Sequence, residues 1–386
     1  MTTTIHGHRP LNGALSSFGL KDRTFSATFR ATTGEAKQTL LSAAQPVPMS
    51  QPLGGAPQRN DNIMNRKGDE NSSLFKICEN LKKRMALVPG CDIHIAEMEE
   101  EEMEAGETTD PVTTMWNCLR RGYPLMTIYN ASRPAQPLTL DASRMAEVRI
   151  GKAATFKFLQ ACLTDLKIPA NECFLITDLY GGDTTGFVKV TKVVNKVLDI
   201  LDERGLLMRA HPSLADAAAN KGPQTLTRRQ NIIHEIVQTE RDYVQQIEDL
   251  QRFKNELEMS GAIGGDAIHD IFLNINALLD FQRRFLIRIE QQNSLPEEEQ
   301  NWGNLFVTYR DSFRVYEPFI ANGSRCNETV SKEWERLKAA PVTADLRGMV
   351  EAQSILLGFL VKPLQRLTKY PLLLKVRNYL VLRLCW

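Results

Sequence analysis

From residue 226 onward apolar residues recur every three or four positions, and nowhere in that half do they alternate with period two. Ile233, Ile236, Val237, Tyr243, Val244, Ile247 and Leu250 predict an amphipathic helix of about seven turns, with Thr227 as its cap. Ile271, Phe272, Ile275, Leu278, Leu279, Phe285 and Leu286 predict a second helix over 268–289. Shorter helices are expected over 302–320 and 326–339, and a long one over 345–375. That last helix should bend at Pro363 and Pro371, each of which removes a backbone donor. Leu360, Leu364, Leu367 and Leu374 define its predicted buried seam. A second stripe, Val361, Gln365, Lys369 and Leu372, is too polar for core and too apolar for plain solvent. A mixed outward face of this kind usually meets a partner.

The first half also reads as helical. A helix over 72–88 has Ser72 or Ser73 as cap, Leu74, Ile77, Cys78, Leu81 and Met85 on one side, and Pro89-Gly90 at its end. Asp110 and Pro111 open another, as cap and first residue, with Trp116 and Leu119 on its apolar side. Phe156, Leu159, Cys162, Leu163 and Leu166 mark the next. Phe174 to Leu179 make a short one closed by Gly181-Gly182, and Val188 to Leu201 the last, ended by Gly205. Gly181, Gly182 and Gly186 lack the Gly-Lys-Ser/Thr ending of a phosphate loop and read as a turn. The six Glu of 97–104 have no Gly-turned calcium loop around them and read as a solvated acidic segment. Residues 1–70, rich in Gly, Pro, Ser, Thr and Asn, read as a disordered tail, with His6 and His8 solvated in it. The prediction is an all-α protein: a small globular helical domain over 71–207, a linker over 208–225, an elongated bundle over 226–375, and a tail over 376–386.

Composition removes several classes of function. A net charge of +1 gives no global electrostatic case for nucleic acid. Residues 352–386 carry six Lys or Arg and no acid. They favour an acidic partner surface or an anionic membrane, or are ordinary helix-surface cations, so peripheral membrane association stays open. The seven cysteines are scattered without a CxxC pair, which argues for a reduced intracellular chain without a zinc knuckle. No apolar run approaches the ~18 residues of a membrane span, and the N-terminus has no apolar signal core. A cytoplasmic protein is therefore expected. His234 and His269 stand in predicted helices beside no nucleophile, and metal-ligand spacing is absent. Neither a catalytic residue for covalent chemistry nor a cofactor or metal is expected.

Two segments carry a more specific signal. Residues 228–244 read Arg-Arg-Gln-Asn-Ile-Ile-His-Glu-Ile-Val-Gln-Thr-Glu-Arg-Asp-Tyr-Val, with Glu235 followed four and five residues later by Thr239 and Glu240. Residues 359–374 read Phe-Leu-Val-Lys-Pro-Leu-Gln-Arg-Leu-Thr-Lys-Tyr-Pro-Leu-Leu-Leu. In this order and separation they resemble two blocks of the Dbl homology domain of Rho-family guanine nucleotide exchange factors. The resemblance implies a Rho-family small GTPase as partner. It implies that Glu235 meets the first switch loop, that Val361, Gln365, Lys369 and Leu372 pack on the second, and that Lys369 reaches the centre of that contact. Residues 70–207, through Pro111-Val-Thr-Thr-Met-Trp116, Arg121-Gly-Tyr-Pro-Leu125, Ala154-Thr-Phe-Lys-Phe-Leu159 and Phe174-Leu-Ile-Thr-Asp-Leu-Tyr180, resemble the calponin-homology domain of fungal cell-polarity exchange factors. That implies polarity scaffold proteins as further partners, or an autoinhibitory contact, and recruitment to the cell cortex at sites of polarised growth. Actin binding is the weaker implication, because only one such domain is visible.

The wording departs from the family at Val376, where the family continues into one more long helix. The expectation is a truncated bundle lacking its last helix, with poor exchange activity. Val376-Arg377 can be encoded GTA-AGA, an intron donor, so the tail is expected to be translated intron. The sequence thus points to an exchange factor for a polarity GTPase. The alternative is a non-catalytic adaptor acting through the calponin-homology domain, with the bundle inactive.

Overall fold

The computed structural model describes residues 63–208 and 226–381, apart from 105, 107, 108, 142 and 144. The expected tail up to residue 62, nearly all of the expected linker, and residues 382–386 lie outside the described residues. The protein is all-α, with no strand among the described residues.

Two apolar cores organise the chain. The first is built by α1 (Leu74–Met85), α2 (Asp92–Glu104), α3 (Pro111–Arg120), α4 (Tyr123–Asn130), α5 (Glu147–Thr164), α6 (Ile176–Tyr180) and α7 (Thr184–Glu203). Ser73 caps α1, its hydroxyl accepting from the Lys76 amide at 3.2 Å. Asp110 caps α3 as expected, its carboxylate accepting from the amides of Val112 and Thr113, each at 2.9 Å. Trp116 stacks on Phe187 with ring centroids 4.5 Å apart, and its indole N–H donates to the Leu179 carbonyl at 2.8 Å. This pins α3 to α6 and α7.

Three expectations in this half need correction. The acidic run is solvated, as expected, but it is a helix with a core side: α2 buries Ile95 and Met98, while the exposed Glu97 and Glu101 pair with Arg121, and Glu99 with Lys82. The helix over 147–164 presents a different face from the one expected. Ala154, Phe158 and Ala161 are buried beside Cys162, and Phe156 and Leu163 are exposed. Residues 63–70, expected in the disordered tail, are ordered. Ile63 is buried in the second core, and Gly68 is hydrogen-bonded through both its amide and its carbonyl.

The second core is an elongated bundle. Its longest helix, α8 (Arg228–Ser260), spans about 50 Å at 1.5 Å per residue. A reciprocal capping box of Thr227 and Gln230 starts it, and Gly261 in the left-handed conformation ends it. Against it pack α9 (Gly265–Phe272), α10 (Ile275–Ser294), α11 (Trp302–Thr308), α12 (Tyr316–Ala321), α13 (Gly323–Ala339), α14 (Gln353–Leu360) and α15 (Lys362–Val381). Two helices expected to be continuous are broken. The 268–289 segment divides at Leu273, whose φ is +40°, and Asn274 donates its side-chain amide to the Val315 carbonyl at 2.8 Å. The 345–375 segment divides at Val361, because Pro363 has no N–H with which to continue α14. Pro371 lies inside α15 as expected.

Candidate functional site

The second core brings α8 and α15 together side by side. Moving along the chain from Asp345 to Arg366, the α8 partners run backwards, from Arg252 to Glu240 and Thr239, so the two segments are antiparallel. Lys369 lies one turn beyond Arg366, and Glu235 one turn before Thr239, so both side chains stand on the next turn along from the Arg366–Thr239 bond, on neighbouring helices.

Both are exposed, as are Gln365 and Leu372, and Val361 is half-buried. Among the described residues the Glu235 carboxylate and the Lys369 ammonium make no hydrogen bond or ion pair. Leu372 is 61% exposed, and Leu364, expected in the buried seam, joins this surface at 38%. Burial, and after it the charge of Lys369, holds the Lys362 ammonium below the ordinary lysine range. The two lysines thus share one positive edge of α15. This arrangement fits an acidic and apolar partner surface contacted by α15, with a cationic or hydroxyl-bearing one contacted at Glu235.

Beneath the surface lies a buried polar network that the sequence reading left out. Glu240 is fully buried and Arg366 nearly so. The Arg366 Nε donates to Glu240 Oε2 at 3.0 Å, and its Nη2 bonds the same oxygen. Tyr370 donates its hydroxyl to Glu240 Oε1 at 2.9 Å, and the Gln282 amide of α10 donates to that oxygen as well as to Tyr370 Oη. Tyr316 of α12 donates to Gln282 Oε1 at 2.6 Å. Arg366 Nη1 reaches Thr239 Oγ1 at 3.0 Å, and that hydroxyl donates to the Glu235 carbonyl at 2.7 Å. Burial works against the Arg366 charge, and the Glu240 carboxylate more than offsets it, so the guanidinium is held above its ordinary range. Burial, then the Glu240 charge, lifts the Tyr370 hydroxyl well above the tyrosine range and keeps it a donor. The detectable signal was a polar residue at inward positions of otherwise apolar helix faces: Glu240 falls four after Ile236, Arg366 three after Pro363 and Tyr370 four after Arg366.

The upstream strap 63–70 borders this face. The Gln238 amide, one turn from Glu235, donates to the Gly68 carbonyl at 3.0 Å, and Gly68 N donates to Asp242 at 2.8 Å. Met64 packs on Gly358, one turn before Val361. The first helical domain meets α10 on another side. Ile287 enters its core, Arg288 pairs with Asp110 at 3.1 Å, and the Thr184 amide donates to Asp280 at 2.7 Å. An open cleft in that domain is lined by Arg120, Arg121, Tyr123 and Tyr180. Its charges are already engaged, Arg121 with Glu97 and Glu101, and Arg120 with the Leu179 carbonyl.

Residues 232–376 match the RhoGEF domain, and residues 110–198 match the CDC24 calponin domain. The bundle is a RhoGEF (Dbl homology) domain, and the helical domain ahead of it is a CDC24 calponin domain. The chain is 29% identical over 317 residues to "Rho guanine nucleotide exchange factor scd1" of Schizosaccharomyces pombe, covering 78% of this chain and 36% of that protein. It is 29% identical over 282 residues to "Cell division control protein 24" of Saccharomyces cerevisiae, covering 69% of this chain and 31% of that one. The chain thus spans about a third of the length of these curated relatives. A solved structure titled "Autoinhibited Vav1" aligns over 78% of this chain and 59% of its own at 22% identity, with a TM-score of 0.30, a likeness too loose to argue from.

Proposed function

We propose that the bundle accelerates guanine nucleotide release from a Rho-family small GTPase docked across α8 and α15. The observation that carries this reading is that the Glu235 carboxylate and the Lys369 ammonium, exposed on neighbouring turns of adjoining helices, have no partner among the described residues, inside a domain that matches RhoGEF. Glu235 contacts the first switch loop. Val361, Gln365, Lys369 and Leu372 pack on the second, with the Lys369 ammonium directed at a carboxylate or phosphate-side oxygen.

No covalent chemistry is needed. A small GTPase holds its nucleotide through a phosphate-cradling loop, magnesium and its switch segments. A surface that binds the nucleotide-free form best must, by reciprocity, weaken nucleotide binding. A thousandfold faster release requires about 4 kcal/mol of such preference. One shielded Lys–carboxylate contact, one Glu contact and a few packed side chains are of that order. The polarity role, the cytoplasmic location with recruitment to the cortex, and scaffold partners for the CDC24 calponin domain belong to the same reading, as does the division into 71–207, 208–225 and 226–375. Peripheral membrane contact through the cations of 352–386 would be consistent with it.

The test is release of a fluorescent guanine nucleotide from a panel of Rho-family GTPases. Glu235→Ala and Lys369→Ala should each slow release by about 10–100-fold, the worth of one charge-assisted contact. Release that is seen and that neither substitution alters would disprove the assigned surface. A second reading, an adaptor acting through residues 110–198, is favoured by the apolar side chains that α5 exposes, Phe156 at 57% and Leu163 at 41%, two turns apart. Under it, the chain releases no nucleotide from any GTPase of the panel, and Phe156→Glu abolishes scaffold capture.

A further inference from the structure

The inward side of α14 and α15 is a seam of Leu356, Phe359, Leu360, Pro363 and Leu367 at three- and four-residue spacing, and α8 answers with Ile233, Ile236, Val237, Val244 and Ile247. Two such seams fit nearly as well after sliding past one another by a turn, about 5.4 Å. Glu240 and Arg366 do not share that tolerance. A one-turn slip would leave each charge facing aliphatic side chains without its partner, and an uncompensated buried charge is far more costly than a repacked leucine.

We infer that Glu240 and Arg366 are positioning residues, fixing the register and rotation of α15 on α8 so that Lys369 is presented beside the turn of α8 that carries Glu235. This rests on the reading of that surface as the GTPase face. Two further observations support it. The network closes across four helices, with Gln282 of α10 and Tyr316 of α12 completing the partners of Glu240 and Tyr370. Such a network specifies one arrangement only when every member is satisfied, and both Glu240 oxygens are. The outer arm of Arg366 also reaches Thr239, whose hydroxyl holds the carbonyl of Glu235 itself. The buried pair is thereby linked to the turn that carries the exposed acid. Buried ion pairs add little net stability, because desolvation offsets their attraction. Their use in a seam of this kind is to exclude the slipped alternatives.

The experiment separates register from stability. The double substitution Glu240→Leu with Arg366→Met removes both charges together and keeps the seam apolar. The pair itself adds little stability, but its removal leaves the buried Tyr370 hydroxyl without its acceptor, so the variant should melt only a few degrees below the unsubstituted protein, yet lose about tenfold or more in nucleotide release. Spin labels carried on non-natural amino acids at positions 235 and 369 should report a distance distribution shifted or broadened by about 5 Å, one helical turn. Release is measured on unlabelled protein. Arg366→Lys keeps the charge but cannot grip Glu240 and Thr239 at once, and should show a smaller change of the same sign in both readouts. A folded double variant whose label distances match the unsubstituted protein overturns the inference, whether or not the chain exchanges nucleotide. Should the double variant fail to fold, an unchanged distance in Arg366→Lys overturns it instead. Shifted distances in a protein that releases no nucleotide from any GTPase tested would uphold the positioning pair and reject the GTPase reading.

Discussion

Arg366 and Lys369 are cations three positions apart on one helix, and they point into opposite environments. Lys369 reaches solvent, while Arg366 is buried against Glu240. The outward stripe was legible because it mixes residue types at a constant spacing. The inward one was not, because Arg366 looks like a surface cation until Glu240 is found opposite it, 126 positions away. Leucine at 364 was read as core for the same reason, since spacing alone cannot say which stripe faces the partner helix. Tyr370 tests the network from the apolar side. Its ring packs against Phe285, Phe306 and Phe313, with centroids 5.8, 5.5 and 5.5 Å away. Tyr370→Phe keeps that packing and removes the hydroxyl, leaving Glu240 one donor short. It should destabilise the protein by about 1–3 kcal/mol in chemical denaturation, with little change in the cooperativity of unfolding. The thiols give a test of burial. Burial pushes Cys91 and Cys162 up to about 12 and Cys118 to about 11, from an ordinary 9.0. Between those limits the unfolded chain has released its thiol protons and the native chain keeps them. Native protein then binds more protons, and stability falls as pH rises. The buried tyrosines 243, 316 and 370 act with the same sign. Denaturation midpoints at about pH 8 and about pH 10.5 should differ in that direction, and alkylation of the three cysteines at the lower pH should require unfolding.

At the scale of elements, the long helices were legible and their interruptions were not. Nothing in Asn274 or Leu273 announces a break, because the apolar period continues through both. The cause is a tertiary bond from the Asn274 amide to the Val315 carbonyl, 41 positions away. The acidic helix α2 was hidden similarly: its two buried positions, Ile95 and Met98, are too few to give a period, and its carboxylates are held by Arg121 and Lys82 from other helices. The strap 63–70 has no regular period at all, only fitted contacts. Gly68 is required there by close approach, since a Cβ would lie 2.7 Å from the Arg241 backbone carbonyl carbon. Gly68→Val should therefore lift the strap from α8, breaking the bonds to Asp242 and Gln238. Limited proteolysis should then cut within 63–73 at least about tenfold faster, the scale set by losing a local contact of 1–2 kcal/mol. The bundle itself should melt within a few degrees of the unsubstituted protein. Cleavage at an unchanged rate would mean the strap is held elsewhere.

Across the whole described molecule, the two domains are joined by more than the chain between them. Ile287 on α10 belongs by sequence to the bundle, yet its side chain is buried in the core of the CDC24 calponin domain. Around it, Arg283 donates to Thr185 at 2.9 Å and pairs with Glu248 at 2.7 Å, while Arg288 pairs with the Asp110 cap of α3. This docking could not be read from the sequence, because a helix buried on one side and docked on another shows only a broader apolar stripe. It has a mechanical consequence. The calponin domain braces α10, the helix that supplies Gln282 to the network under Glu235 and Lys369, so the order of one domain supports the register of the other. Ile287→Asp places a carboxylate in that apolar socket, where an ionised group without a partner is strongly disfavoured. The domains should separate, and calorimetry should resolve two unfolding transitions in the variant against one expected for the unsubstituted protein. Apolar burial of an isoleucine is worth about 1.5–3 kcal/mol, so the bundle's own transition should fall by a few degrees. Nucleotide release should drop by a smaller factor than in Lys369→Ala, because the side chains proposed to meet the switch loops remain in place. A single transition in the variant would mean that the two cores are coupled through the strap and the other interface contacts, and that Ile287 only fills space between them.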